Sequence, residues 1–337
     1  MKIGFIGLGN MATAMIGGIV KNKLVDAKDI MGSARTKETV QKAVDAYQIT
    51  GTMDNREVAE YADYLILAVK PQMYPSVIEQ IRDHVRKETV VISIAPGKSI
   101  EWLCGLFQRE VQEMKLVRCM PNTPALVLEG CTGVCFAKAV TADEKEAVMK
   151  LLNSFGRADE VAENLMDTVV GVSGSSPAYV FMFIEAMADA AVADGMPRKL
   201  AYEFAAQSVL GSAKMVLETG EHPGKLKDAV CSPAGSTIAG VRVLEQQGLH
   251  AEVVEVHTLK PLDGETILES VKKTGCAVTV DNHNVIGGLY SAVAELLCLN
   301  CPLPVERVGV EDEFGEVGST PALEQRFGLT AERIVEM

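Results

Sequence analysis

A chain of 337 residues is long enough to form two or three domains with buried cores. Its 48% hydrophobic and 23% charged residues are those of a folded chain and not of a disordered one. The formal net charge of −13 and a pI near 5.0 exclude a basic nucleic-acid-binding face, although a helix N-terminus or an arginine can hold an anion inside an acidic protein.

Among the eight cysteines, only Cys298 and Cys301 form a C-x-x-C pair, and neither a second pair nor a nearby histidine completes a zinc set. No metal is expected, and the thiols read as reduced, small apolar residues suited to a cytoplasmic chain. The sequence enters at once into MKIGFIGLGNM, whose apolar stretch is too short for a signal peptide. The most apolar later stretch, 177–192, carries Glu185 and Asp189 and falls short of the roughly 20 apolar residues of a membrane span. It is expected to be a buried helix, with no membrane partner.

In chain order, short apolar runs at 2–7, 29–34, 64–69, 89–95 and 115–121 alternate with helix-length segments. That alternation predicts a doubly wound α/β domain, a parallel sheet with crossover helices on both faces. From about 160 the texture changes to long segments with apolar residues at helical spacing, rich in Ala and Met, with Pro197 and Gly220 marking ends. A helical domain that packs on itself or on a second subunit is expected. From about 251 strands and helices alternate again, with strands at 252–261, 276–283 and 306–312 and helices ending at Thr274 and near residue 299. The expected domains are 1–158, 159–249 and 250–337.

The loop Gly-Leu-Gly-Asn-Met-Ala at 7–12 follows the first strand and opens a helix. Gly7 permits a tight turn, Gly9 lets backbone approach a pyrophosphate, and Ala12 allows close helix–strand packing. Asn10 and Met11 place their amides at the helix N-terminus, facing the phosphates. A NAD site puts Asp or Glu about 20 residues on, at the end of the second strand. Here 31–36 reads Met-Gly-Ser-Ala-Arg-Thr, without a carboxylate. Ser33 and Arg35 suit a 2′-phosphate, the arginine through charge-assisted hydrogen bonds. NADP(H) is favoured, with NAD(H) the alternative.

Further motifs join this loop: Asn55, Ala-Val-Lys-Pro-Gln at 68–72, Ala-Pro-Gly at 95–97 and Arg-Cys-Met-Pro-Asn-Thr-Pro at 118–124. Gly-Val-Ser-Gly-Ser-Ser-Pro-Ala-Tyr stands at 171–179 and Leu-Lys-Asp-Ala-Val-Cys-Ser-Pro-Ala-Gly-Ser-Thr at 226–237. Together, from residue 1 to about 249, they resemble the pyrroline-5-carboxylate reductase family. The resemblance implies a Rossmann-type domain followed by an all-α dimerisation domain, assembled as a homodimer or higher homo-oligomer. It implies hydride transfer from NAD(P)H to the C=N bond of 1-pyrroline-5-carboxylate, giving L-proline. It further implies that Asn55, Ala68, Val69, Lys70, Pro71, Ala95, Gly97 and Asn122 line the cofactor. Ser175, Ser176, Ser232, Gly235, Ser236 and Thr237 are implied to hold the substrate. Thr237, hydrogen-bonded to the ring nitrogen, is the candidate catalytic residue.

The chemistry agrees with this assignment. The 232–237 turn precedes an apolar helical stretch, so its hydroxyls and free N–H groups can hold a carboxylate without a positive side chain. No side chain stands out as a general acid. Hydride transfer to an iminium neutralises it, so proximity and orientation carry the catalysis. Two departures bear on affinity: Ser176 stands where the family commonly has glycine, and 234–236 reads Ala-Gly-Ser instead of a diglycine pair. Another imine or β-hydroxyacid reductase would place a lysine in the helical domain, and the helix after Gly171 shows Tyr179 and Glu185 but no such lysine.

After Leu249 the chain departs from that family. The segments 252–263, 278–289, 307–318 and 327–334 resemble the C-terminal domain of transketolase-like, thiamine-diphosphate-dependent enzymes, with Tyr290 in place of a common glycine. The G-D-G motif and the domains that bind the diphosphate are absent, so thiamine diphosphate is not expected. His283 reads as a structural or solvated residue. The segment is expected to be a small α/β accessory or association module. In a second reading, of another class, it docks a transketolase-like partner chain and the reductase part is impaired.

Overall fold

Strands buried on both faces carry no polar alternation, and the first run of the chain is of that kind. In the computed structural model, which describes residues 1–246, 256, 259–311, 326 and 329, it forms β1 (Ile3–Ile6), buried at every position. There follow α1 (Asn10–Lys21), β2 (Ile30–Ser33), α2 (Lys37–Tyr47), β3 (Thr50–Thr52), α3 (Asn55–Tyr61) and β4 (Tyr64–Leu67). Then come α4 (Tyr74–Ile81), β5 (Val90–Ser93), α5 (Ile100–Phe107), β6 (Leu116–Met120), β7 (Gly130–Phe136), α6 (Ala142–Leu152) and β8 (Gly156–Glu160). Side-chain caps start four of these helices: Thr36 for α2, Asp54 for α3, Ser99 for α5, and a reciprocal Thr141–Glu144 capping box for α6.

Met1–Gly211 and Ser212–Met337 form two compact units. The strands of the first unit lie in the order β3-β2-β1-β4-β5-β6-β7-β8, so the chain reverses direction across the sheet between β1 and β4. Its apolar cores lie on two faces, one around Phe5, Met15, Ile16 and Phe155, the other around Tyr74, Ile78, Leu103 and Phe107. Five strands match the apolar runs. Of the other three, β3 and β8 are edge strands, reading Thr-Gly-Thr and the mostly exposed Gly-Arg-Ala-Asp-Glu, and β7 lies between β6 and β8. The sheet is parallel as expected apart from one pair: β7 runs antiparallel to β6, because residues 121–129 between them are too few for a crossover.

The helical part of this unit begins with α7 (Met166–Val169), a π-helical turn at Val170–Gly174 and α8 (Ser176–Ala193). α9 (Arg198–Thr219) pairs with α8 through Ala188, Ala201 and Ala205, and Arg198 bonds Asp189. The expectation that 177–192 is buried does not hold within one chain. Ala188 is the one buried residue of α8, while Tyr179, Phe181 and Met182 are 61%, 62% and 69% exposed. The stripe shared with α9 is too narrow to cover a helix that is apolar on all sides. By length and composition Glu163–Ala193 would pass for a membrane span, but an apolar surface of this size also marks a protein interface.

In the second unit lie α10 (Pro223–Val230), α11 (Ser236–Gln246), α12 (Gly264–Thr274), β9 (Ala277–Asn284), α13 (Leu289–Asn300) and β10 (Val305–Val310). β9 and β10 pair in parallel, and Ile267, Val271, Val293 and Leu297 form a small core. The Tyr290 ring lies 5.1 Å from the Arg307 guanidinium, which also donates to Glu311. Most of the predicted strand 252–261, all of 312–318, nearly all of 327–334 and the side chain of His283 lie outside the described residues. All eight cysteines are free thiols, with Cys104, Cys119 and Cys135 buried.

One turn tests the packing of the sheet edge. Gly156 has φ +147°, and a β-carbon there would lie 2.1 Å from the Gly130 carbonyl oxygen. Gly156→Ala must therefore push β8 off β7. A loss of about 3 kcal/mol or more is expected, read as a lower midpoint in chemical denaturation of the full chain.

Candidate active site

Gly7 ends β1 with φ +98°, and its N–H donates to the Ser33 carbonyl at 2.9 Å. A β-carbon at Gly7 would sit 2.6 Å from the Ala68 carbonyl oxygen, so only glycine fits. Gly9 is the N-cap of α1 and has open space where its side chain would be. The exposed Asn10 and half-buried Met11 begin the helix, and Ala12, 1% exposed, packs into the core. Open space in front of unbonded helix N–H groups is the cradle a pyrophosphate needs. The loop fits a dinucleotide.

At the end of β2, Ser33 is fully buried, and its hydroxyl donates to Asn55 Oδ1 at 2.7 Å. The hydroxyl expected to meet a 2′-phosphate is directed at Asn55, which in turn donates to Gln80 at 3.0 Å. Arg35 is exposed, and no carboxylate pairs with it among the described residues. Thr52, Asp54, Asn55, Arg56 and Gln80 line an open cleft of about 610 Å³. The carboxylates of this cleft are engaged. Arg56 hydrogen bonds hold the Asp54 carboxyl down to about 2, and Glu57 accepts from the Thr52 hydroxyl at 2.6 Å.

The next edge lies at the ends of β4 and β5. Ala68, Val69 and Pro71 are half-buried, Lys70 is exposed, and Ala95 is 2% exposed. Gly97 takes φ +65° with open space around its α-carbon. Two residues that sequence reasoning missed hold this edge. The buried Tyr74 hydroxyl donates to the Leu67 carbonyl at 2.6 Å and accepts from Ser93 at 3.1 Å, whose oxygen in turn accepts the Ala95 N–H at 3.3 Å. Burial pushes the Tyr74 hydroxyl up to about 12, so it remains a donor across the physiological range.

In the middle of β6 the buried Arg118 meets Asp167 at 3.2 Å and Glu163 at 3.6 Å. Glu163 also accepts the Ile100 N–H at 2.7 Å. This clamp was missed as well, though an arginine inside an apolar run signals a buried charge that needs partners. Asn122, 7% exposed, directs its side chain inward and not toward the edge. Ser175 and Ser176 are half-buried at the N-terminus of α8.

The 232–237 turn lies in the second unit. The Gly235 N–H donates to Ser232 O at 3.0 Å, and a β-carbon at Gly235 would lie 2.4 Å from Ser232 Oγ. Ser232, Ser236 and Thr237 are exposed, the last two in the first turn of α11 with its free N–H groups. Ala234 has φ +58°, a conformation that glycine adopts without strain and alanine does not.

Two outcomes follow from these backbones. Gly9→Ala should fold normally and lower NADPH affinity at least about tenfold, whereas Gly7→Ala should lower the melting temperature as well; titration of nicotinamide fluorescence and thermal melts separate the two. Ala234→Gly should stabilise the turn by about 1 kcal/mol, measured as increased amide-exchange protection across 232–238.

Three families match the chain. Residues 2–97 match NADP oxidoreductase, coenzyme F420-dependent; 163–258 match pyrroline-5-carboxylate reductase dimerisation; 232–334 match the transketolase C-terminal domain. The pyrroline-5-carboxylate reductase of Escherichia coli is 49% identical over 257 residues, 76% of this chain and 94% of that protein. That of Methanosarcina acetivorans is 44% identical over 252 residues, 74% of this chain and 92% of the relative. Among solved structures, the Plasmodium falciparum pyrroline carboxylate reductase with NADP bound superposes with a TM-score of 0.67 at 31% identity, covering 81% of this chain and 95% of its own. The Coxiella burnetii pyrroline-5-carboxylate reductase gives 0.67 at 29% identity, covering 88% and 98%. With its glycine loop, its polar sheet edge and its 226–237 segment in place, the chain belongs to the pyrroline-5-carboxylate reductase family.

Proposed function

We propose that the protein reduces the C=N bond of 1-pyrroline-5-carboxylate to give L-proline, with NADP(H) preferred and NAD(H) the alternative. The observation that carries this reading is identity of 49% across 94% of the Escherichia coli reductase. When bound, the reduced nicotinamide supplies the hydride that adds to the imine carbon.

The chain's own residues supply position. The amides at Gly9–Ala12 hold the pyrophosphate, Arg35 the 2′-phosphate and Asn55 the adjoining ribose. Ala68–Pro71, Ala95 and Gly97 bound the nicotinamide end. The hydroxyls of Ser232 and Ser236, with the N–H groups at the start of α11, hold the substrate carboxylate, and Ser175 and Ser176 are assigned to the substrate as well. Thr237 hydrogen-bonds the ring nitrogen and fixes the face of the imine that is presented. A protonated imine is neutralised by the hydride, so no general acid is required, and the rate rests on orientation.

The three-part division 1–158, 159–249 and 250–337 belongs to this reading, with the exposed face of α8 covered by a second copy in a soluble, cytoplasmic homodimer or larger homo-oligomer. The C-terminal part serves as an accessory module, with no thiamine diphosphate chemistry. Docking of a transketolase-like partner chain rests on the C-terminal family match alone.

Oxidation of NADPH by the full chain with pyrroline-5-carboxylate is the test, and an absence of turnover would sink the reading. Thr237→Ala should lower kcat/KM by about 10- to 100-fold. Arg35→Ala should raise KM for NADPH about tenfold and leave that for NADH unchanged. Truncation after Leu249 should leave kcat intact; its loss would make the C-terminal part integral to the enzyme.

A further inference from the structure

Asn122 ends the Arg-Cys-Met-Pro-Asn segment beyond β6, at the edge assigned to the cofactor, yet both ends of its amide are taken up inside the protein. Oδ1 accepts the Cys131 N–H of β7 at 2.8 Å, and Nδ2 donates to the Ser173 carbonyl at 2.9 Å. Ser173 is itself buried, within the π-helical turn that leads directly into Ser175 and Ser176.

That carbonyl has a particular need. In a continuous helix it would accept the N–H four residues on, but this position is Pro177, which has none. The next amide, Ala178 N–H, bonds Ser175 O instead, at 3.1 Å, while Ser175 N–H closes the π-turn on Val170 O at 2.8 Å. A buried carbonyl without a donor is destabilising, and Asn122 Nδ2 supplies the donor that proline removed. Contacts on either side seat the turn on the sheet. A β-carbon at Gly174 would lie 2.9 Å from Met120 Cε, and one at Gly133 would lie 2.8 Å from Val169 Cγ1.

We propose that Asn122 is a positioning residue for the substrate and not a side-chain ligand of the cofactor: it stands in for the missing Pro177 amide and sets Ser175 and Ser176 at a fixed height over the end of the sheet. This rests on the reading that those serines face the substrate. The arrangement predicts its own suppressor. Pro177→Ala returns an N–H to the helix, and that amide relieves the carbonyl once Asn122 is gone.

The experiment compares the full chain as wild type, Asn122→Ala, Pro177→Ala and the double variant. Asn122→Ala should raise KM for pyrroline-5-carboxylate about tenfold or more, with NADPH affinity by fluorescence titration within about threefold of wild type. Amide-exchange protection across 170–178 should fall in Asn122→Ala. Both KM and protection should recover in the double variant, with Pro177→Ala alone near wild type. If Asn122→Ala does not fold, Asn122→Asp carries the same comparison, because it keeps the acceptor for Cys131 and loses the donor. An unchanged substrate KM, a loss of NADPH affinity as large as the KM effect, or no recovery on adding Pro177→Ala would each overturn the proposal. Wild-type turnover separately decides the reductase reading, and the exchange measurement decides the splint without reference to turnover.

Discussion

The nucleotide site depends on one backbone crossing. At Gly7, φ +98°, the turn after β1 passes so near the Ala68 carbonyl that a β-carbon would lie 2.6 Å from its oxygen. That contact ties the end of β1 to the end of β4, the two neighbours at which the strand order reverses. With those ends fixed, the glycine loop and the 68–71 loop open at the same edge. Farther along it, the backbone is closed by polar side chains placed inside the fold: Tyr74 on Leu67, Ser93 under Ala95, Asn122 on Cys131 and Ser173. A buried polar group is tolerated when every bond is made, and such a network fixes one arrangement. The edge is rigid because its polar groups face inward.

An acidic protein that binds two anionic ligands needs short-range means of doing so. With a net charge of −13, the field of the whole molecule repels them. The candidate sites answer with amides, hydroxyls and a single arginine. The nearest carboxylates are occupied, Asp54 by Arg56 and Glu57 by Thr52. Binding of this kind relies on directed hydrogen bonds, which salt screens less than it screens long-range attraction.

The central strands were legible because burial on both faces leaves an unbroken apolar run, as in Ile-Gly-Phe-Ile of β1 and Val-Val-Ile-Ser of β5. β8 was not, since an edge strand reading Gly-Arg-Ala-Asp-Glu carries no such signature. Glycine spacing made the cofactor loop readable, because each glycine answers a local steric demand. The direction of Ser33 was hidden: the residue type suggested a ligand contact, and only the pleat shows that its hydroxyl points to Asn55. The bond from Asn122 to Ser173 spans 51 positions and ends on a carbonyl, which no residue type advertises. Helix 177–192 declared itself apolar, but periodicity does not distinguish burial within a chain from burial between chains.

The bare face of α8 makes the chain's stability a matter of mass action. Tyr179, Phe181 and Met182 stand in water in a single chain, and their cover comes from association. Each tenfold dilution then withdraws about 1.4 kcal/mol of the free energy that holds two copies together. Melting temperature should track concentration, and a newly made chain remains vulnerable until it meets another. The amount of protein in solution is, in that sense, one of the terms that fold it.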